Sequence, residues 1–214
     1  MTIPKRKRLL HALMRPWIQR EIYECLTLDR HEAARLSPLA RAGAPRREIR
    51  RIDRTELAQF SEVPEHGISR RFLEGIASRD DACFGAFVDG ELASYVFLAA
   101  NSPTAIDNWL RFRFADGWTY VYKAFTLPRW RGRRLLPLLL ASAMAEMATQ
   151  GGGRHGFVTL YIRGNEASRK AFERCGFQPR LQFPVWKLLS RPRRVSHAED
   201  SAQFGIDLVS PQVS

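Results

Sequence analysis

The chain has 214 residues, 45% of them apolar. That suffices for one sizeable core and excludes a disordered chain. The formal net charge of +12 favours anionic partners: nucleic acid, an anionic membrane face, an acidic carrier protein or a phosphorylated cofactor. A solvated basic surface accounts for many of the arginines equally well. Cys25, Cys83 and Cys175 are odd in number and widely spaced, with no C-x-x-C. They argue against a disulfide framework and point to a reducing compartment, hence the cytoplasm. His11, His31, His66, His155 and His197 show no metal-ligand spacing, so no metal site is expected.

In chain order, the basic start MTIPKRKRLLHALMRPWIQ lacks the unbroken apolar stretch of about 7–15 residues that export requires. Nor does any run approach the roughly 20 apolar residues of a membrane span. Leu9, Leu10, Leu13, Met14, Trp17 and Ile18 recur at helical spacing. They predict a helix over residues 1–20 that suits either its own domain or an anionic membrane surface. Residues 22–28 read as a strand, 37–47 as a loop and 49–53 as a short strand. Thr55 is the expected N-cap of a helix, and residues 67–77 are helical.

Residues 83–88 and 91–100 flank Asp89-Gly90, a hairpin signal. Residues 101–108 read as a loop. A second pair of strands is expected over 109–114 and 118–127, around Asp116-Gly117. A helix over 134–149 ends at Gly151–Gly153, a strand spans 157–162, and a helix over 165–174 closes at Cys175-Gly176. One or two strands fill 177–189, and from Arg191 the polar sequence predicts a loose tail. The order predicts an α/β (α+β) fold with a mixed, largely antiparallel sheet flanked by helices. Three segments follow: an extension over 1–48, a main domain over 49–190 and the tail over 191–214.

The stretch FTLPRWRGRRLLPLLL, residues 125–140, places Arg129, Arg131, Arg133 and Arg134 on a turn between a strand and a helix. A helix start presents free N–H groups and a partial positive charge, and is an anion site. Arginines add bidentate phosphate donors, and Gly132 allows close backbone approach. The turn therefore reads as a pyrophosphate cradle, or as a basic surface loop.

The same stretch resembles the strand–turn–helix motif R-x-x-G-x-G/A of the GNAT superfamily of acyl-CoA-dependent N-acyltransferases. NEASRKAFERCGF, residues 165–177, is similar to that family's next segment, and the 83–97 hairpin sits where the family has its second and third strands. The resemblance spans roughly residues 50–190. It implies acetyl-CoA or another acyl-CoA as co-substrate and a primary amine as acceptor. It also implies that Phe125 and Thr126 contact the pantetheine arm through their backbone. Arg131, Gly132, Arg133, Arg134, Leu135 and Leu136 would meet the pyrophosphate, and Asn165 the arm again.

The sequence departs from the motif. Counted from Arg129, Gly132 is matched but Arg134 occupies the last small position; counted from Arg131, the small positions fall on Arg134 and Leu136. The departure leaves room for an acylated carrier protein as donor.

Alternation along 119–126 places Tyr120, Tyr122 and Ala124 on one face and Val121, Lys123 and Phe125 on the other. Tyr120 and Tyr122 align with positions where the family often carries a base, and they are the catalytic candidates. Tyrosine is a poor base but a usable acid or water-positioning group; two aromatics packed under the sheet would look the same. Phe172 stands where many relatives have an acidic tyrosine. Ser168, one turn earlier, is the nearest hydroxyl, and it reads first as a small packing residue. No nucleic-acid reading motif is present, and the aromatics do not interleave with the basic runs. The acceptor and the oligomeric state stay open.

Overall fold

The computed structural model describes residues 18–36, 47–77, 79, 81–100, 104–105, 110–151, 154–188, 191–195 and 203–208. The helix predicted over 1–17, the loop over 37–46 and most of 101–108 lie outside the described residues. Residues 18–20, expected at the end of that helix, open a strand instead. Gln19, Glu21 and Tyr23 pair with Lys187, Val185 and Phe183 of a neighbouring strand, and that ladder sets their conformation.

β1 (Ile18–Asp29) leads into α1 (Arg30–Arg35), followed by β2 (Arg47–Ile52) and α2 (Arg54–Ser61). Next come α3 (Arg70–Ile76), β3 (Ala82–Val88) and β4 (Glu91–Ala99). The short β5 (Thr104–Ala105) precedes β6 (Leu110–Phe114) and β7 (Trp118–Thr126). α4 (Leu135–Thr149), β8 (Gly156–Ile162), α5 (Glu166–Arg174), β9 (Gln178–Leu188), β10 (Arg191–Val195) and β11 (Phe204–Leu208) complete the chain. The main sheet has eight strands in the order β10-β9-β1-β8-β7-β4-β3-β2; β11, β6 and β5 form a second, smaller sheet. Every pairing is antiparallel except β7 with β8. The mixed, largely antiparallel architecture is the one expected.

Local chemistry explains most boundaries. Asp53 caps α2, its carboxylate accepting from the Glu56 amide at 2.8 Å. Thr55, the expected cap, already lies inside the helix. A cap must be extended and stand before the first turn, and Asp53 does, at φ −78° and ψ 169°. The β3–β4 hairpin turns on Asp89 (φ 52°) and Gly90 (φ 83°), the two positive φ values of a type I′ turn.

β6 and β7 are strands, but not partners. β6 pairs with β5 and β11, while β7 runs between β4 and β8. The reason is an aromatic layer: Phe112 lies 4.8 Å from Tyr120 and 6.4 Å from Phe204 between ring centroids. The small sheet thus covers the main sheet rather than extending it. The expected loose tail is also corrected. Arg191–Val195 pairs with β9, and Phe204–Leu208 pairs with β6 and buries Phe204 and Ile206. Inside a polar segment, FGID hides an alternation that places both apolar residues inward.

The opposite face of the sheet carries α4. Leu139, Leu140, Ala143 and Met144 are fully buried there against Phe84, Val96, Leu98 and Val121. Each buried leucine contributes about 1.5–3 kcal/mol, so the start of α4 sits on a rigid base. Pro137 falls in the first turn, where no amide needs a partner. All three cysteines are buried and free.

Candidate active site

The site forms where β7 parts from β8. Their parallel pairing runs from Trp118–Gly156 to Val121–Thr159 and stops. The Thr159 hydroxyl donates to the Val121 carbonyl at 2.9 Å, closing the ladder at that point. On the other side, Phe97 pairs with Tyr122 but Tyr95 pairs with Phe125. Two residues of β7, Lys123 and Ala124, thus oppose the single Val96 of β4, a bulge, and Lys123 takes it up at φ 47°.

The bulge breaks the expected alternation beyond Tyr122. Phe125 packs with Tyr122 in one cluster, and Ala124 packs with Val121 in another. The Lys123 ammonium lies 4.6 Å from the ring centre of Phe72, which belongs to the Tyr122 side. One extra residue flips a period-two pattern, which strict counting cannot foresee.

Two adjoining clefts open from this wedge. The first, about 460 Å³, lies between the end of β7, the start of α4 and one face of α5. Of the predicted cofactor contacts, Phe125, Thr126, Arg131, Gly132, Arg134, Leu135 and Leu136 line it. Gly132 sits at φ 77°, and nothing lies within 4 Å of where its Cβ would be. Arg134 precedes α4 at φ 57° without capping it through its side chain. The first amides of α4 are therefore left without a side-chain cap.

Arg131 donates from Nε to the Thr126 carbonyl at 3.1 Å, which fixes its guanidinium beside the wedge. Arg133 does not line the cleft; its guanidinium lies 4.6 Å over Trp130. Arg129 is ion-paired with Glu65 and Glu91 and braces the turn from outside. Sequence reading missed Lys170 and Arg174 of α5, which also line the cleft. The i, i+4 spacing of Lys170 and Arg174 was the available signal.

The second cleft, about 290 Å³, lies inside the wedge, and Tyr120, Tyr122 and Asn165 line it. Neither tyrosine is free to take a proton. Tyr122 donates to Asp81 Oδ2 at 2.6 Å and accepts from Arg79 at 2.9 Å, and Arg79 and Asp81 are themselves ion-paired. Burial first, and the hydrogen bond to Asp81 second, push its pKa above the usual tyrosine value. Tyr120 is buried and stacks on Tyr122 at 5.4 Å and 8°, and burial raises its pKa too.

The Asn165 side chain caps α5, accepting from the Ser168 amide at 3.1 Å. Phe172 and Tyr161 line the same cleft. Tyr161, not anticipated, donates to Glu24, which Arg163 also holds at 2.6 Å. Ala124 and Ser168 line both clefts and mark where the two meet.

Residues 47–177 match the family model described as "Acetyltransferase (GNAT) family". The chain belongs to that family. Similar solved structures include a functionally unknown conserved protein from Staphylococcus epidermidis (12% identity, TM-score 0.55, 88% of this chain and 69% of that one). A GCN5-related N-acetyltransferase-like protein from Streptococcus suis shares 11% identity at TM-score 0.55, over 85% and 67% of the two chains. A GCN5-related N-acetyltransferase from Kribbella flavida shares 15% at TM-score 0.54, over 83% and 62%. This chain thus spans about two thirds of the length of these three; at such identities the likeness is one of fold. No curated protein matches the sequence.

Within a GNAT fold, the departure at Arg134 has a local explanation. The position needs a left-handed residue, which glycine adopts freely and arginine adopts at a cost of about 1 kcal/mol. The backbone cradle keeps its shape, and a cation stands beside it. Among the described residues, no helix is long and apolar enough to cross a membrane.

Proposed function

We propose that this protein is an N-acyltransferase that moves an acyl group, acetyl in the first instance, from acyl-CoA to a primary amine by direct attack. One observation carries the reading: the bulge at Lys123 and the end of the β7–β8 ladder at Val121 open a wedge that leads straight into a basic cleft at a helix start. The residues present fit the co-substrate. Arg131, Arg134, Lys170 and Arg174, with the first amides of α4, hold the pyrophosphate. Backbone groups of Phe125 and Thr126, beyond the end of the ladder with β8, hold the pantetheine arm.

The acyl group then lies near Ala124 and Ser168, and the acceptor enters by the second cleft. Transfer joins the amine nitrogen to the acyl carbon and releases the CoA thiol. Among the described residues lining that cleft there is no Asp, Glu or His. The amine therefore loses its proton to water before it attacks, and positioning does most of the catalysis. Tyr120 and Tyr122 shape the wall rather than serve as bases. Ser168, which borders both clefts, hydrogen-bonds the departing sulfur.

Calorimetric titration of acetyl-CoA tests the reading. Wild-type protein binds with a Kd in roughly the micromolar range, and an Arg131→Ala, Lys170→Ala variant binds more weakly. No binding by the wild type, together with no thiol release in the presence of any amine, would overturn it.

A further inference from the structure

Among the described residues that line the second cleft, one is charged: Lys123 is ionic, and the others are aromatic, aliphatic, amide or hydroxyl groups. The two carboxylates bonded to its lining tyrosines are already engaged. Asp81, bonded to Tyr122, is paired with Arg79; Glu24, bonded to Tyr161, is paired with Arg163.

Lys123 is half-buried and has no such partner among the described residues. Its ammonium donates to the Gly67 carbonyl at 3.0 Å and rests on the Phe72 ring. An ammonium has three donors, so the carbonyl satisfies one, and among the described residues no counter-charge meets the rest. Burial lowers its pKa below the usual lysine value. The backbone is left-handed at this residue, a conformation that costs a side-chain-bearing residue about 1 kcal/mol. The fold accepts strain and desolvation at a residue that lines the wedge and whose ammonium has no carboxylate partner among the described residues.

We propose that the acceptor is a small amine carrying its own anionic group, carboxylate or phosphate, which Lys123 binds. This inference rests on the acyltransferase reading and deepens it. A polyamine or a second cationic group would meet Lys123 with no carboxylate in the lining to receive it. An anionic acceptor supplies the missing counter-charge. Lys123 also favours the neutral form of the incoming amine, because like charge disfavours an ammonium. The 290 Å³ of the cleft lies at the small end of ligand pockets and fits an acceptor of amino-acid size.

The test is thiol release from acetyl-CoA with matched acceptors: amino acids, their amides, aminoalkyl phosphates and polyamines. Acetyl-CoA binding is measured separately, so that failure of the parent reading is seen as loss of that binding. The account expects anionic acceptors to exceed their neutral partners in kcat/KM by about tenfold to a hundredfold, the range of one charge-assisted hydrogen bond. In Lys123→Asn, which tolerates the left-handed backbone, that ratio falls toward one. In Lys123→Arg part of it returns. Carboxylate against phosphate members then separates the two anions.

Preference for amides or polyamines overturns the proposal. So does a ratio unchanged in Lys123→Asn, or no turnover of any anionic acceptor while acetyl-CoA binds. Acetylation of Lys123 itself, seen by peptide mass mapping in place of an anionic acceptor, overturns it as well.

Discussion

The two clefts that meet at Ala124 and Ser168 are built on opposite plans. The one beside α4 gathers four cations, Arg131, Arg134, Lys170 and Arg174, from one turn and one face of α5, over an apolar floor that includes Leu135, Leu136 and Ala171. The one inside the wedge is lined by residues from β1, β7, β8 and α5, among them four tyrosines and Phe172, with Lys123 the one cation among the described residues. The contrast follows from what each would hold. A phosphorylated co-substrate is recognised by charge and by amides that any sequence supplies. An acceptor is recognised by a shaped wall, which only particular side chains supply.

Breaking the wall without touching the cradle gives the largest effect. Asp81→Ala leaves Arg79, among the described residues, with the Tyr122 hydroxyl alone in a site where Asp81 is 3% exposed. Urea denaturation is expected to show a loss of about 3 kcal/mol, as for one partner removed from a buried pair. The acetyl-CoA Kd, which the proposed function assigns to the other cleft, moves by less than about threefold. Breaking the cradle alone is the converse. Arg131→Ala with Lys170→Ala weakens acetyl-CoA by about tenfold to a hundredfold in calorimetry and leaves the urea midpoint near that of the wild type.

A smaller effect sharpens the comparison by pH. Glu24 is held below the usual carboxylate value, first by the Tyr161 hydroxyl and then by Arg163. A carboxylate with a depressed folded pKa contributes stability above its unfolded pKa, and the contribution is lost as pH falls through the folded value. Glu24→Gln is therefore less stable at pH 7 by about 1 kcal/mol after solvent screening. The difference closes in acid, and denaturation at pH 7 and pH 3 checks it. Smallest of all, Arg134→Gly relieves the left-handed backbone and gains up to about 1 kcal/mol in thermal unfolding. It weakens acetyl-CoA less than the double variant does, because the amides of α4 remain.

The same contrast sets what the sequence discloses. The cradle is local: Arg131, Gly132 and Arg134 stand next to the helix they precede, so a turn read off FTLPRWRGRRLL already places them. Asn165 and its helix follow from the N-E-A-S-R-K pattern for the same reason. Lys170 and Arg174 needed only that helix turned to its inner face.

The wall is not local. Tyr122 is held by Asp81 and Arg79, some forty positions earlier. Tyr161 is held by Glu24, 137 positions away. No spacing rule reaches that far. Lys123 was misplaced by a face because a bulge adds one residue, and the partner strand decides where. The terminal strands were hidden differently: the polar residues around Phe204 and Ile206 mask two apolar positions that matter only once β6 is there to cover.

The most direct measurement is hydrogen exchange, read by mass spectrometry, with and without acetyl-CoA. The account predicts new protection at residues 122–126 and 131–138, the open edge of β7 and the start of α4. It predicts none in the small sheet, residues 110–114 and 204–208. Binding accompanied by protection elsewhere, with residues 122–126 unchanged, would contradict the claim that the wedge at Lys123 is where the co-substrate lies.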